Sequence, residues 1–307
     1  MNIDPIQLRI LQEVAGLHDT PDGAFNFRFD GKSAGRASTD NIKITSKEDK
    51  SGIDIDIAPG TTHESVHIPV VLSESGLKEA VYNDFFIGDN SDVTIVAGCG
   101  ISNCGGEDSQ HDGIHTFHIG NNCKVRYYEK HYGEGDGMGK RILNPVTEVY
   151  MGENSYMEME MAQIKGVDST IRKSDAHLGA GSQLVVHERL MTHGEQKAVS
   201  EYNVYLDGES ASTNVVSRSV ARDRSTQTFI SRLYGNAEAH GHSECDSIIM
   251  DDARISSIPE VVANCPDAEL IHEAAIGKIA GEQITKLMTF GLTQEEAEEQ
   301  IVNGFLK

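Results

Sequence analysis

One five-residue turn recurs along most of this chain at a nearly constant interval, and no other feature constrains the fold as tightly. An apolar residue is followed by glycine or aspartate, two polar or small residues and usually a small polar one. It reads "IGDNS" at Ile87, "IGNNC" at Ile119, "MGENS" at Met151, "LGAGS" at Leu178, "LDGES" at Leu206 and, more loosely, "YGNAE" at Tyr234. The interval is the same from Ile87 to Ile119 as from Ile119 to Met151, then shortens slightly and stays nearly constant through Leu178, Leu206 and Tyr234. Between the turns lie period-two runs, with Met157, Met159 and Met161 interleaved with Glu158 and Glu160, then "QLVVHERL", "VSEYNVYL" and "TQTFISRLY". Such alternation predicts strands with one face inward and one toward water. Two or three strands per repeat fit one coil of a parallel β-helix, each strand pairing with its counterpart in the next coil. An antiparallel sandwich is the alternative, but its turn signals come roughly every 8 to 12 residues and leave the longer period unexplained.

The two ends read differently. Asp4-Pro5 is an N-cap with proline in the first turn, and Ile6, Ile10, Leu11, Val14 and Leu17 follow near helical spacing. From His18 to Ser51 the chain is polar and turn-rich, with only "NIKIT" alternating, which predicts a weakly ordered connection. Near the other end Ile276, Ile279, Ala280, Ile284, Leu287 and Met288 recur at helical spacing before Gly291, and "TQEE" at Thr293 to Glu296 is a capping box. The expected organisation is an N-terminal helix and polar connection over 1–51, a β-helix over 52–270 and a helical segment over 271–307. The fold class is thus an all-β core, a parallel β-helix flanked by short terminal α-helices. The C-terminal helices either cap the open end of the sheets or dock a partner.

Charge and cysteine usage narrow the function. A formal charge of −22 with a pI near 4.9 excludes a large phosphate-tracking surface, so nucleic acid is not an expected partner. Five cysteines at irregular spacing read as reduced thiols, not a disulfide framework. With no long apolar run and no leader pattern, the expectation is a cytoplasmic protein without a membrane partner. The absence of tryptophan argues against a carbohydrate-stacking cleft, and no GxxxxGK[ST] loop is present to hold a nucleotide.

Cys245 and Glu273 are separated by the same step as Leu178 and Leu206, with His272 beside Glu273. If the coil length persists, Cys245 and Glu273 sit on neighbouring coils about 5 Å apart. Neighbouring residues on a strand face opposite ways, so His272 and Glu273 should not both point at one ligand unless the strand twists or ends there. Thiolate, imidazole and carboxylate are iron-sulfur ligands, too few in one protomer for a whole cluster and enough across a dimer. The plainer alternative makes Cys245 a buried filler, His272 a hydrogen-bonded core residue and Glu273 an acid at a helix start.

The tail "CDSIIM...IHEAAIGKIAGEQITKLMTFGLTQEEAEEQIVNGF" resembles the C-terminal signature of the SufB/SufD family, scaffolds of iron-sulfur cluster assembly. The likeness is dense from Cys245 to Phe305 and continues more weakly back to about Gly60, including "PGTTHESVHIPV". It implies a right-handed β-helix that dimerises through its C-terminal part and binds a SufC-like ABC ATPase through the C-terminal helices. It also implies a transient iron-sulfur cluster at Cys245, Glu273 and His272, a sulfur donor, and apo iron-sulfur proteins as recipients. Because the SufB-like cysteine and glutamate and the SufD-like histidine occur together, one product would serve in both halves of a homodimer; a heterodimer is the other arrangement. The chain looks like a minimal form without the long N-terminal region of typical SufB proteins.

A second position carries over from the family, whose glycine-cysteine step near the start of the β-helix is thought to receive sulfur, with a histidine about a dozen residues on. In "AGCGISNCGGEDSQHDGIHTFHIGNNC" these fall on Cys99 and His111. The residues after the cysteine depart from the family pattern, being Gly100-Ile101-Ser102, and Cys104 is an extra thiol that could share or replace the role of Cys99. A zinc cluster drawn from His111, His115, His118 and His131 with these cysteines fits no compact motif, since alternation sets His115 and His118 on opposite faces. The rival functions are a β-helix lyase or hydrolase of acidic polysaccharide and a purely structural β-helix.

Overall fold

Each coil closes at the recurring turn, and the geometry there accounts for its composition. The structure, a computed structural model, describes residues 3–307. In successive turns the fourth residue, Asn90, Asn122, Asn154 or Gly181, has a positive φ of 54–66°, which asparagine and glycine tolerate best. The second residue is glycine where coils approach closely: a Cβ on Gly120 would lie 2.8 Å from the Asp89 backbone nitrogen. The fifth residue is small because it turns inward and closes the turn, Ser91 Oγ donating to the Gly88 carbonyl and Ser182 Oγ to that of Gly179, each at 2.7 Å.

The chain opens with α1 (Pro5–Ala15), then β1 (Ala24–Phe29), β2 (Lys32–Ala37), β3 (Ile42–Ser46), β4 (Gly52–Ile57), β5 (Thr62–His67) and β6 (Val70–Leu72). Longer strands follow: β7 (Lys78–Ile87), β8 (Asp92–Ser102), β9 (Ser109–Ile119) and β10 (Lys124–Glu134), with short β11 (Arg141–Leu143) and β12 (Val146–Met151). Then come β13 (Tyr156–Lys165), β14 (Ser169–Leu178), β15 (Gln183–Thr192), β16 (Lys197–Leu206) and β17 (Ser212–Ala221). The last are β18 (Thr226–Gly235), β19 (His240–Ile249), β20 (Arg254–Ala263) and β21 (Glu269–Gly277), followed by α2 (Gly281–Thr289) and α3 (Gln294–Phe305).

These strands form a solenoid of about eight coils with two walls. One wall runs β2-β1-β5-β8-β10-β13-β15-β17-β19-β21 and the other β20-β18-β16-β14-β11-β9-β7-β4-β3. Pairing is parallel throughout except for β1 with β2 and β3 with β4. Ile87, Ile119, Met151, Leu178 and Leu206 stack in one register column, so the repeat read from the sequence is the true coil register. At the next coil Leu206 pairs with Gly235 and not with Tyr234, so the step there is one residue longer than the turn motif suggests.

Two expectations need correction. Residues 18–51 are not a weakly ordered connection: β1, β2 and β3 lie there, and the antiparallel β2 and β3 cover the first edge of each wall. Ala24, Phe27 and Phe29 of β1 are buried. At the other end β21 continues to Gly277 and helix starts only at Gly281, so Ile276 belongs to a strand. The strands therefore extend on both sides of 52–270.

The C-terminal helices do not close the solenoid. α3 and its C-cap bury Val302 and Leu306 against the flank, beside Val220, Ile248 and Met250. β20 and β21 end their sheets with one edge free, and Ile258, Val261, Ile271 and Ile276 are exposed near it.

Candidate functional site

The parity of each strand decides which side chains enter the solenoid. On β10 the inward buried residues include Val125, Tyr127, Glu129 and His131, and on β15 Leu184, Val186, Glu188 and Leu190. Ionisable residues thus occupy positions that elsewhere hold Ile and Met. Parallel pairing stacks Ala97, Glu129, Met161, Glu188, Ser217 and Cys245 in one inward column, and Cys99, His131 and Gln163 in the next.

These groups form a connected chain. Arg172 of β14 bonds Glu129 from the opposite wall and lies 3.6 Å from Glu188. His131 stands 3.3 Å from both Glu129 and Gln163. Glu188 accepts from Ser200 (2.6 Å), Tyr202 (3.0 Å) and Ser217 (2.7 Å), and Ser217 is the register partner of Cys245. A cavity of about 10 Å³, lined by Glu188, Ser200, Ser217, Ser219, Gln227 and Phe229 among others, adjoins this end. Burial opposes the charge on Glu129, but Arg172 and His131 outweigh it and hold the carboxyl well below its usual range. Burial pushes the Tyr127 and Tyr202 phenols well up and lowers His115 to about 4.

Cys99, expected at the sulfur-receiving position, faces inward and is 4% exposed. Burial, then the charges of Glu129 and Glu79, push its thiol well up. His111 is buried nearby and donates from Nδ1 to Glu79 (2.9 Å), which also accepts from Arg28. Cys104, in the loop after β8, is exposed. The outer wall over Cys99 is covered by α1: a Cβ on Gly98 would lie 2.3 Å from the Val14 carbonyl oxygen, and one on Gly100 would lie 2.1 Å from Ile10 Cγ2.

At the far end the expected trio is divided by the wall. The coil step is one residue longer here than the turn spacing predicts, so Cys245 pairs with Ala274 and not with Glu273. A one-residue slip exchanges the two faces of a strand. Cys245 is 1% exposed inside, and His272, paired with Ser243, shares that inner side, as opposite-facing neighbours require. Both ring nitrogens of His272 are shielded from solvent without a hydrogen-bond partner. An imidazole with both nitrogens unpartnered is unusual. Burial pushes the Cys245 thiol up and, with His242 nearby, lowers His272. Glu273 emerges on the outer face beside Glu244 and His242.

A family profile described as "SUF system FeS cluster assembly, SufBD core domain" matches residues 79–305. The chain belongs to this SufBD family. It is 28% identical over 286 residues to an iron-sulfur cluster assembly SufBD family protein of Pyrococcus horikoshii, covering 90% of this chain and 84% of the relative. A Methanocaldococcus jannaschii protein of the same description is 28% identical over 78% of this chain and 76% of its own length. One from Methanothermobacter thermautotrophicus is 27% identical over 76% of this chain and 57% of the relative. Family membership implies involvement in iron-sulfur cluster assembly.

Sequence reasoning missed the buried ionic chain of this SufBD protein. The signal was available: Glu129 and His131 follow Val125 and Tyr127 at even spacing, and Glu188 follows Leu184 and Val186. Among the described residues, no helix is long and apolar enough to cross a membrane.

Proposed function

We propose that this chain is a scaffold on which iron and sulfide are combined into a cluster, built at a homodimer or SufB/SufD-like interface and passed to apo-proteins. A SufC-like ABC ATPase would dock on the C-terminal helices, and its nucleotide cycle would move the interface. The carrying observation is the buried polar chain from Cys99 to Cys245. Burying two carboxylates and a guanidinium in a solenoid core costs several kcal/mol per ion before pairing, whereas apolar side chains would fill the space without that cost.

The proposed chemistry begins at the entry thiol, Cys104 or Cys99. Its thiolate attacks the outer sulfur of a donor persulfide; a new S–S bond forms, the old one breaks and the donor thiolate leaves. Cys104 is the exposed entry and Cys99, with His111, the inner one. Cys99 and Cys245 are five strand spacings apart, about 24 Å, too far for direct exchange. Freeing that sulfur from the Cys99 persulfide as hydrosulfide takes two electrons, which an external dithiol would supply by closing to its disulfide and leaving Cys99 as the thiol; the hydrosulfide would then run along Arg172, His131 and the hydroxyls around Glu188. Cys245 would supply a thiolate ligand to iron and His272 an imidazole beside the free edge of β21. The exposed Ile258, Val261, Ile271 and Ile276 fit that edge as the dimer surface, where a second copy would complete the ligand set.

Anaerobic reconstitution with ferrous iron and sulfide, followed by visible absorption and iron and sulfide analysis, tests this. A brown wild-type protein whose colour is lost in Cys245→Ser supports it. Colourless wild type and variant, with the ATPase present and the dimer intact, would overturn it.

A further inference from the structure

The outer face behind Cys245 carries a second set of ligand-type groups. Glu244 and Glu273 are register partners on β19 and β21, and His242 lies two residues before Glu244 on the same face. One ligand atom from each of the three lies within 4.8 Å of the others. We propose that His242, Glu244 and Glu273 bind a divalent first-row transition metal, which is ferrous iron if the function proposed above holds.

The orientation of His242 is the independent observation. Its Nδ1 is 2.9 Å from Asn214 Oδ1, and donation from Nδ1 to that oxygen selects the tautomer that leaves Nε2 free. Asn214 is the register partner of His242 and holds the ring in place. In the neutral ring Nε2 then offers a lone pair, and 3.7 Å away it meets Glu273 Oε2, another acceptor. Two acceptors facing each other need a cation between them or a second proton on the ring. A metal ion satisfies both, and an outer-shell acceptor fixing the tautomer is how ligating histidines are usually set. Arg218, the register partner of Asp246, lines a cavity with Glu244, Arg189 and Lys307, so cations also stand near this face.

One imidazole and two carboxylates suit ferrous iron, manganese or cobalt better than a thiolate-seeking metal. The site opens to solvent, so a metal reaches it without crossing the wall. Its protein neighbours explain its use: Glu244 precedes Cys245, and Glu273 follows His272. Metal collected outside and sulfur delivered inside would lie on the two faces of one strand pair, meeting at the free edge of β21.

Titrating the full chain anaerobically with cobalt(II), without sulfide, and following its visible absorption tests the site. One saturable cobalt per chain is expected. His242→Gln and Glu244→Gln should each weaken binding at least about tenfold, and Asn214→Leu by a similar factor through the lost orientation. Glu153→Gln, at an exposed turn in a distant coil, should leave it unchanged. These outer side chains carry no core packing, and far-UV circular dichroism checks the fold. Absence of saturable binding, or binding abolished by Cys245→Ser and untouched by His242→Gln, would overturn the site. Cobalt binding with failed cluster reconstitution would sink the scaffold function and leave the metal site standing.

Discussion

Arg172 reaches across the interior of the solenoid to bond Glu129 on the opposite wall. The two side chains are 4% and 2% exposed. Removing one partner of such a pair leaves an uncompensated buried charge, so Arg172→Met should destabilise by about 3–5 kcal/mol. Replacing the pair together with Met and Leu should recover much of that loss. Denaturant unfolding of the single and double variants measures both effects.

The same contact sets an acid limit. Glu129 is depressed in the folded state, so its contribution is fully present above the carboxyl value of the unfolded chain, about 4.3, and fades as pH falls through its lower folded value. Without Arg172 the folded carboxyl rises. In Arg172→Met the acid unfolding midpoint, followed by circular dichroism between pH 2 and 7, should therefore move to higher pH. An unmoved midpoint would mean that other carboxylates govern acid unfolding.

Thiol reactivity should sort by exposure. Cys104 is exposed and Cys265 intermediate, whereas Cys99, Cys123 and Cys245 are buried. Iodoacetamide near pH 7.5 should label Cys104 first and the buried three only on unfolding, as peptide mass analysis reads. Because burial raises the Cys99 and Cys245 thiols, less thiolate is present at neutral pH than in free cysteine. Any native labelling there should keep climbing at pH values where free cysteine has levelled off.

The helix over Cys99 offers a different handle. Gly98 and Gly100 seat α1 by close approach, so Gly98→Ala or Gly100→Ala must push it outward. Overpacking of this kind typically costs about 1–3 kcal/mol. Limited trypsin digestion should then cut faster after Arg9, while Cys99, packed on the inner side of the wall with Leu72, Ile101 and Leu143, stays protected. An unchanged cleavage rate after Arg9 would show that these glycines do not set the seat of α1.

Much of the fold was legible because the turn motif is both a local signal and a register marker. Leu178 and Leu206 could be aligned from sequence because they are paired in space. The site was harder for the same reason. The step from Cys245 to its partner Ala274 is one longer than the step from Ser217 to Cys245, and that single residue is enough to carry Glu273 through the wall. No composition signal marks that insertion. "NIKIT" alternates where β3 lies, but β1 was missed because "AFNFRF" is short and lies outside the repeat, although its phenylalanines Phe27 and Phe29 are core residues. Glu129, Arg172 and Glu188 lie on the inward parity of their strands, a placement that residue type alone does not signal.

The free face of α2 gives the last prediction. α3 is anchored by Val302 and Leu306, but α2 buries no residue; Met288 is 45% exposed and Phe290, just after the helix, 76%. Ile284 and Leu287 are only partly covered. A short amphipathic helix gains little stability alone, and its apolar side is suited to a groove on another protein. If α2 docks the ATPase, Leu287→Glu and Phe290→Ser should each weaken co-purification with a SufC-like partner about tenfold or more, because apolar anchors dominate such contacts. The unfolding midpoint should hardly change, since neither side chain belongs to the core. Cobalt binding at His242, Glu244 and Glu273 should also persist in both variants. Full ATPase binding by both would move the docking surface elsewhere, with the free strand edges of β20 and β21 next to be tested.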